Sequence, residues 1–339
     1  MRAPDFWRAP AHPLARALAP LACAYAAAGR LRRRWMRPDR AAVPVLCVGN
    51  LTAGGAGKTP TALALARHLL AAGRRPHFLT RGYGGRLSGP VAVDPAAHEA
   101  RQVGDEALLL AAVAPCWVAR DRVAGARAAI AAGADILVMD DGFQNPSLAK
   151  DLSVIAVDGG YGFGNGRCQP AGPLREPVAA GLARADAVVL IGADTTGAGA
   201  ALAGGPPVFH ARLAPGPEAE TLAGKRVLAF AGIGRPGKFF ASLAEIGCDV
   251  VEARGFPDHH PYAPDDIMAL CEDAQAAGAL PVTTEKDFVR LTADARPMVR
   301  TLSVALEWEE ADAPARILAP LLDAAGAAAG PAGHGERGA

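Results

Sequence analysis

Twelve residues, GNLTAGGAGKTP at 49–60, constrain this chain more than any other stretch. They follow the apolar run VPVLCV and precede a helical pattern from Thr61 to Ala72 that Gly73 closes. A strand that breaks into glycines, then into a helix opening on Lys-Thr, is the construction of a phosphate-binding loop. Gly54, Gly55 and Gly57 let backbone N–H groups turn inward, and the helix presents its positive end to the same anion. Lys58 is placed to reach the terminal phosphates and Thr59 to offer a hydroxyl to Mg2+. Pro60 falls in the first turn, where its missing N–H costs nothing. Thr52 stands where the usual pattern begins with glycine, so the expected cradle runs Thr52, Ala53, Gly54, Gly55, Ala56, Gly57, Lys58 and Thr59.

Beyond this loop, PHFLT, CWVA, ILVMD, LSVIAVD and AVVLIG are apolar runs of strand length between Ala-rich helical patterns. The fold class expected is therefore α/β and P-loop NTPase-like, a mostly parallel sheet with helices on both faces and ligands at the carboxyl ends of its strands. Residues 193–205 are rich in Gly, Ala and Thr and read as a surface loop. RVLAFAGI then starts a new alternation that continues through DVVEARGF, PVTTEKD and TLSVALEW. The expected division is a P-loop nucleotide-binding domain at 41–213 and a smaller C-terminal α/β domain at 214–324 that closes over the cleft. The tail at 325–339 has too little apolar bulk to pack and is expected to be disordered.

Net charge is +1 over 339 residues, yet residues 1–40 hold nine arginines against Asp5 and Asp39, a local +7. With Trp7, Tyr25 and Trp35 beside the apolar run from Ala17 to Gly29, this segment reads as an amphipathic helix lying on a membrane surface. The run is too short to span a bilayer, Pro20 interrupts it, and its heaviest basic cluster follows it, so neither a transmembrane helix nor a secretory signal is expected. The six cysteines are scattered without C-x-x-C spacing and read as reduced packing residues, with no zinc site. An excess of positive charge confined to one short segment, with no aromatic stacking module beside it, argues against a nucleic-acid partner.

Four further blocks could carry chemistry. ILVMDDGFQ ends an apolar strand in Asp140 and Asp141, the usual carboxylate partners of a phosphate loop and its Mg2+. QVGDEALLL places Asp105 and Glu106 after a glycine, either as a helix cap or as a cleft carboxylate able to accept a hydroxyl proton. GFGNGRCQPAGPLRE holds Arg167, Arg175 and Glu176 in an irregular loop where an arginine could clamp phosphate. FPDHHPY could turn a histidine toward the cleft, while TTEKD at 283–287 lies polar at a strand end without an assignable role.

GNLTAGGAGKTP, RGYGG, VGDEA, DDGFQ, GNGRCQPAGPLRE, AGIGRPGKFF, DHH and TTEKD together, in this order from about residue 44 to 290, resemble the tetraacyldisaccharide 4′-kinases, the lipid A 4′-kinases of bacteria with an outer membrane. That family tolerates Thr at the first loop position. The resemblance implies transfer of the γ-phosphate of ATP to the 4′-hydroxyl of a tetraacylated glucosamine disaccharide 1-phosphate. It implies Lys58 and Thr59 on the triphosphate and Mg2+, with Asp140 and Asp141 near the metal. Asp105 would deprotonate the acceptor with help from His259, and Glu106, Arg175 and Glu176 would line the same site, Glu106 near the metal and Arg175 in a catalytic role. The implied location is peripheral, on the cytoplasmic face of the inner membrane. The expected partners are the lipid substrate and that membrane surface, and the chain is expected to act as a monomer. The competing class is a membrane-associated switch ATPase of the partition or septum-positioning type. Ala53 stands where those proteins usually carry a signature lysine, and the C-terminal tail has no apolar face for a membrane helix.

Overall fold

The computed structural model describes residues 4–9 and 11–328, the last five as backbone only. Its strands are β1 (Val45–Gly49), β2 (Pro76–Thr80), β3 (Val91–Ala92), β4 (Cys116–Val118), β5 (Ile136–Asp140), β6 (Leu152–Asp158), β7 (Ala187–Ile191) and β8 (Val208–Pro215), then β9 (Arg226–Ala231), β10 (Asp249–Gly255), β11 (Leu280–Thr284), β12 (Arg300–Leu302) and β13 (Val304–Trp308). A nine-stranded sheet runs in the order β13-β8-β7-β6-β1-β5-β2-β4-β3. It is parallel from β8 to β4, and only the edge strands β13 and β3 are antiparallel. β1, β2, β5, β6 and β7 are buried along their whole length, which is why they read as continuous apolar runs and not as alternation.

Helices cover both faces. Leu65 and Leu69 of the helix Lys58–Ala71, Leu108 and Leu110 of Asp105–Ala111, and Ile317 and Leu318 of Ala313–Ala328 pack over Leu46, Val48, Phe78 and Val138. On the opposite face Ala126 and Ala129 of Arg122–Ala131 pack with Cys47, Leu79, Leu137 and Met139. β1 hydrogen-bonds to both β5 and β6, so the phosphate loop, the Asp140-Asp141 pair and Asp158 emerge side by side at one edge.

The later strands build a second, four-stranded parallel sheet in the order β10-β9-β11-β12. Val227, Ala229, Phe239 and Leu243 fill one of its faces, and Leu228, Phe230, Ile267 and Leu270 the other. TLSVALEW, expected as one strand, divides at Ser303: β12 completes the small sheet, and β13 crosses over to pair with β8. The chain thus leaves the large sheet along β8 and returns along β13. Between them Gly216 N–H donates to the Ser303 carbonyl at 2.9 Å, and the Ser303 hydroxyl donates to Glu218 at 2.6 Å. The lobe expected at 214–324 therefore ends earlier, because the apolar stripe of Ala313–Ala328 finds its cover on the large sheet. That helix also runs four residues into the segment expected as tail; residues 329–339 lie outside the described residues. Within the stretch expected as loop at 193–205, Ala198–Leu202 is a short helix that buries Ala198 and Leu202.

At the N-terminal end, the Trp7 indole donates to the Pro170 carbonyl at 3.1 Å and Asn165 N–H to the Trp7 carbonyl at 2.7 Å. The helix Ala19–Trp35 that follows buries Ala22 and Ala26 but leaves Leu21, Tyr25, Leu31 and Trp35 exposed. Among the described residues no helix is long and apolar enough to cross a membrane.

Candidate active site

Gly57 caps the helix Lys58–Ala71 in the left-handed region at φ 83°, and Gly54 turns at φ 103°, as a loop closing around an anion requires. Asn50 braces the turn from below, its amide donating to the Gly54 carbonyl at 3.3 Å. The glycine- and proline-rich loop lies alongside: Ala53 N–H donates to the Pro173 carbonyl and Arg175 N–H to the Leu51 carbonyl, each at 2.7 Å. Thr52 pairs with Leu174 in the same bridge, and this is how Arg175 comes to the phosphate loop.

Arg175 grips Asp141 with both nitrogens, at 2.6 and 3.2 Å, and Lys58 stands 3.9 Å from the same carboxylate. Burial would raise the Asp141 pKa, but Lys58 and Arg175 outweigh it and hold the group ionised below the ordinary carboxylate range. Asp141 sits at φ 54°, a conformation rare outside glycine and enriched at functional turns. Glu176 lies almost completely buried and accepts from Arg184 at 2.6 Å and Gln144 at 3.2 Å, with Arg33 of the N-terminal helix 3.2 Å away.

Asp140 behaves differently. Its Oδ2 accepts the Thr59 hydroxyl at 2.9 Å, while its buried Oδ1 has no hydrogen-bond partner. Burial first, then the charge of Glu106, push its pKa up. An orphaned carboxylate oxygen beside a threonine hydroxyl suits a hard cation that takes oxygen ligands. Among the described residues no three His, Cys, Asp or Glu side chains converge to hold a metal by themselves. Of the four groups expected near Mg2+, Thr59 and Asp140 fit it; Asp141 is given to Arg175, and the Glu106 carboxylate accepts from Lys286 at 2.7 Å.

Asp105 opens the helix Asp105–Ala111 after Gly104, which is the capping residue itself. Its Oδ2 meets His259 Nδ1 at 3.2 Å and the Arg290 guanidinium, whose Nε lies 3.1 Å away. Burial would raise the Asp105 pKa; the His259 hydrogen bond and the charges of Arg290 and Lys286 reverse this and hold it well below the carboxylate range. In turn the hydrogen bond to Asp105 raises His259 above the ordinary imidazole value, against the opposing effect of burial. His259 adopts φ 58° and the Tyr83 ring lies 5.2 Å from its own. The neighbouring His260 turns away, pairing with Asp266 at 3.2 Å and stacking on Phe256. Arg167 has no ion-pair partner among the described residues; its backbone N–H donates to the Asn165 side-chain oxygen at 3.1 Å and its carbonyl accepts from Leu174 N–H at 3.0 Å.

Two residues absent from the expected site hold its far wall. Asp287 is fully buried and accepts from Gly232 N–H, the Tyr262 hydroxyl and Arg290, each at 2.8 Å. Arg290 links it to Asp105 and donates to the Gly232 carbonyl, which also accepts from His259 N–H at 2.9 Å. At the opposite end of the cleft Arg235 of the small sheet donates to the Gly55 carbonyl and pairs with Asp158 at 2.6 Å, a carboxylate shared with Lys238. The cleft thus has a phosphate-loop end and an acidic, histidine-backed end, each tied across to the small sheet.

A family model described as tetraacyldisaccharide-1-P 4′-kinase matches residues 14–322. A tetraacyldisaccharide 4′-kinase of Rhodospirillum centenum is 59% identical over 327 residues, covering 95% of this chain and 97% of the relative. One from Paramagnetospirillum magneticum is 57% identical over 327 residues, covering 96% and 99%. Among solved structures, LpxK from Aquifex aeolicus in complex with ATP superposes with a TM-score of 0.71 at 25% identity, covering 91% of this chain and 99% of that one.

Proposed function

The chain belongs to the tetraacyldisaccharide-1-P 4′-kinase family, and from that premise we propose how its cleft carries the reaction. It is an ATP-dependent kinase that phosphorylates the 4′-hydroxyl of a tetraacylated disaccharide 1-phosphate in lipid A biosynthesis. The observation that carries this is kinship over almost the whole chain at 59% identity. The switch-ATPase alternative is not favoured.

In our reading the backbone amides of 52–59 and Lys58 hold the triphosphate, and Lys58 and Arg175 offset its charge. Thr59 and Asp140 would hold Mg2+, which neutralises charge on the phosphate oxygens and aligns them for transfer. The acceptor hydroxyl enters from the Asp105 end, where the Asp105–His259 pair takes its proton as one coupled unit. His259 sits on the small sheet and Asp105 on the large one, so we take the small sheet as a closing lobe hinged at the β8–β13 pair. Closure brings base and phosphate together and sheds water. The exposed face of Ala19–Trp35, with its arginines, would lie on the cytoplasmic surface of the inner membrane, where the lipid is presented. One chain supplies the phosphate loop, Asp105 and His259, which supports a monomer as the working unit.

The test is incubation with γ-labelled ATP, Mg2+ and tetraacyl disaccharide 1-phosphate in detergent micelles. Label at the 4′ position of the lipid is expected. Label only in inorganic phosphate would overturn the reading in favour of the switch ATPase.

A further inference from the structure

Among the described residues Arg290, Arg235, Lys238 and Lys286 reach from the smaller lobe to carboxylates of the large sheet, and their partners differ; Lys238 pairs with Asp158 at 2.6 Å. Arg290 is committed to Asp105, Asp287 and the Gly232 carbonyl, with only 6% of its side chain accessible. Arg235 is bound to the Gly55 carbonyl and Asp158 at the phosphate-loop end. Among the described residues the Lys286 ammonium has one hydrogen-bond partner, Glu106 at 2.7 Å, and 32% of its side chain stays accessible. Glu106 directly follows Asp105, so this ammonium stands at the Asp105 end of the cleft, where the proposed function brings the acceptor hydroxyl.

Its mounting is rigid. Lys286 lies in the short helix Glu285–Phe288, whose start is capped by the Thr284 hydroxyl accepting from Asp287 N–H at 3.2 Å. Asp287, the next residue, is the buried carboxylate that fixes Arg290 and Gly232. The TTEKD block therefore anchors itself through Thr284 and Asp287 and extends Lys286 toward the large sheet.

We propose that Lys286 is a catalytic residue of the phosphoryl transfer, its ammonium donating to an equatorial oxygen of the γ-phosphoryl group in passage. This rests on the kinase reading above. In the step, the bond from γ-phosphorus to the bridging oxygen of ATP breaks and ADP leaves with the electron pair. The bond to the acceptor oxygen forms, the hydroxyl proton goes to the Asp105–His259 pair, and Lys286 keeps its protons throughout. Glu106 and the phosphoryl oxygens are alternative partners for one flexible cation, so the charge arrives only when the small sheet is closed. A cation that meets the phosphoryl group in flight stabilises the transition state more than bound ATP.

Lys286→Met and Lys286→Gln separate this from a merely structural ion pair; Gln is neutral but can still donate to Glu106. The measurements are kcat for lipid phosphorylation, the Kd for ATP, the Kd for ADP–aluminium fluoride with Mg2+, and the melting transition. Both variants are expected to lose about 100-fold in kcat and a similar factor in ADP–aluminium fluoride affinity. ATP affinity should stay within about threefold. Equal weakening of ATP and ADP–aluminium fluoride, or a kcat within about threefold of wild type, overturns the proposal. Should the Met variant fail to fold, the Gln variant decides by the same two outcomes. Wild type is the control for the kinase reading: if it labels no lipid, that reading fails, while the ADP–aluminium fluoride comparison still reports on Lys286.

Discussion

Gly104 holds its backbone at φ 88° and ψ 148°, and a Cβ there would lie 2.5 Å from the Tyr83 carbonyl oxygen. Both the torsion and the obstruction by backbone penalise any side chain, so Gly104→Ala should cost about 1–3 kcal/mol and shift Asp105. Thermal denaturation alongside kcat checks this; a variant with wild-type stability and turnover refutes it. Asp105→Asn should spare ATP binding and lower kcat about 100- to 10,000-fold, whereas lost ATP binding would make Asp105 structural. The same substitution tests the coupled protonation. A raised His259 pKa means its bond to Asp105 stabilises the closed contact fully below the ordinary imidazole pKa and fades as pH rises through the raised one. A depressed Asp105 contributes above the ordinary carboxylate pKa and fades as pH falls through its own lowered value. An NMR titration should find the His259 midpoint raised in wild type and lower in Asp105→Asn; an unmoved midpoint would mean Asp105 is not the cause. The phosphate loop and the Asp140-Asp141 pair were legible because each is a local event at one strand end. Asp105–His259, Glu106–Lys286 and Asp105–Arg290 join residues 154, 180 and 185 positions apart, and no local pattern announces such pairs.

Elements carried more of their structure in local sequence. PHFLT, ILVMD and LSVIAVD are strands at their expected limits, since a strand buried on both faces must be apolar throughout and ends where polarity returns. β8 gave a weaker signal because its burial alternates, and TLSVALEW hid a break because both of its halves are extended and differ only in the sheet they join. The helix Ala19–Trp35 leaves Leu21, Tyr25, Leu31 and Trp35 exposed, without cover among the described residues. If it lies on a membrane, Trp35 fluorescence should shift to the blue on adding vesicles containing anionic lipid. Replacing Leu21, Tyr25 and Trp35 together by Ser should weaken vesicle association at least about tenfold while leaving ATP affinity unchanged. Equal partitioning of the variant and wild type would show that this face does not hold the protein to lipid.

At the scale of the whole molecule, the two sheets are tied at both ends of one cleft. Asp158 holds Arg235 and Lys238 beside the phosphate loop, and Asp105 and Glu106 hold His259, Arg290 and Lys286 at the acceptor end. The covalent links between the sheets are only the two strands β8 and β13, where Gly216 and Ser303 meet. A body joined by one narrow strand pair and several ion pairs can open as a hinge, because separation returns those charges to water. On the proposed closure the charges would gather again and water would be displaced from the point where the γ-phosphate leaves ATP. On that proposal water and the lipid hydroxyl would compete under different conditions: water would reach the phosphate best in an open molecule, with His259 and Lys286 withdrawn from the acceptor end. ATP hydrolysis without lipid should therefore run at no more than about 1% of the lipid-dependent turnover. The check is release of labelled inorganic phosphate at saturating ATP, with and without acceptor in the same micelles. Hydrolysis matching lipid-dependent turnover would mean the cleft is catalytically complete without closure, and the ties across it would serve stability alone.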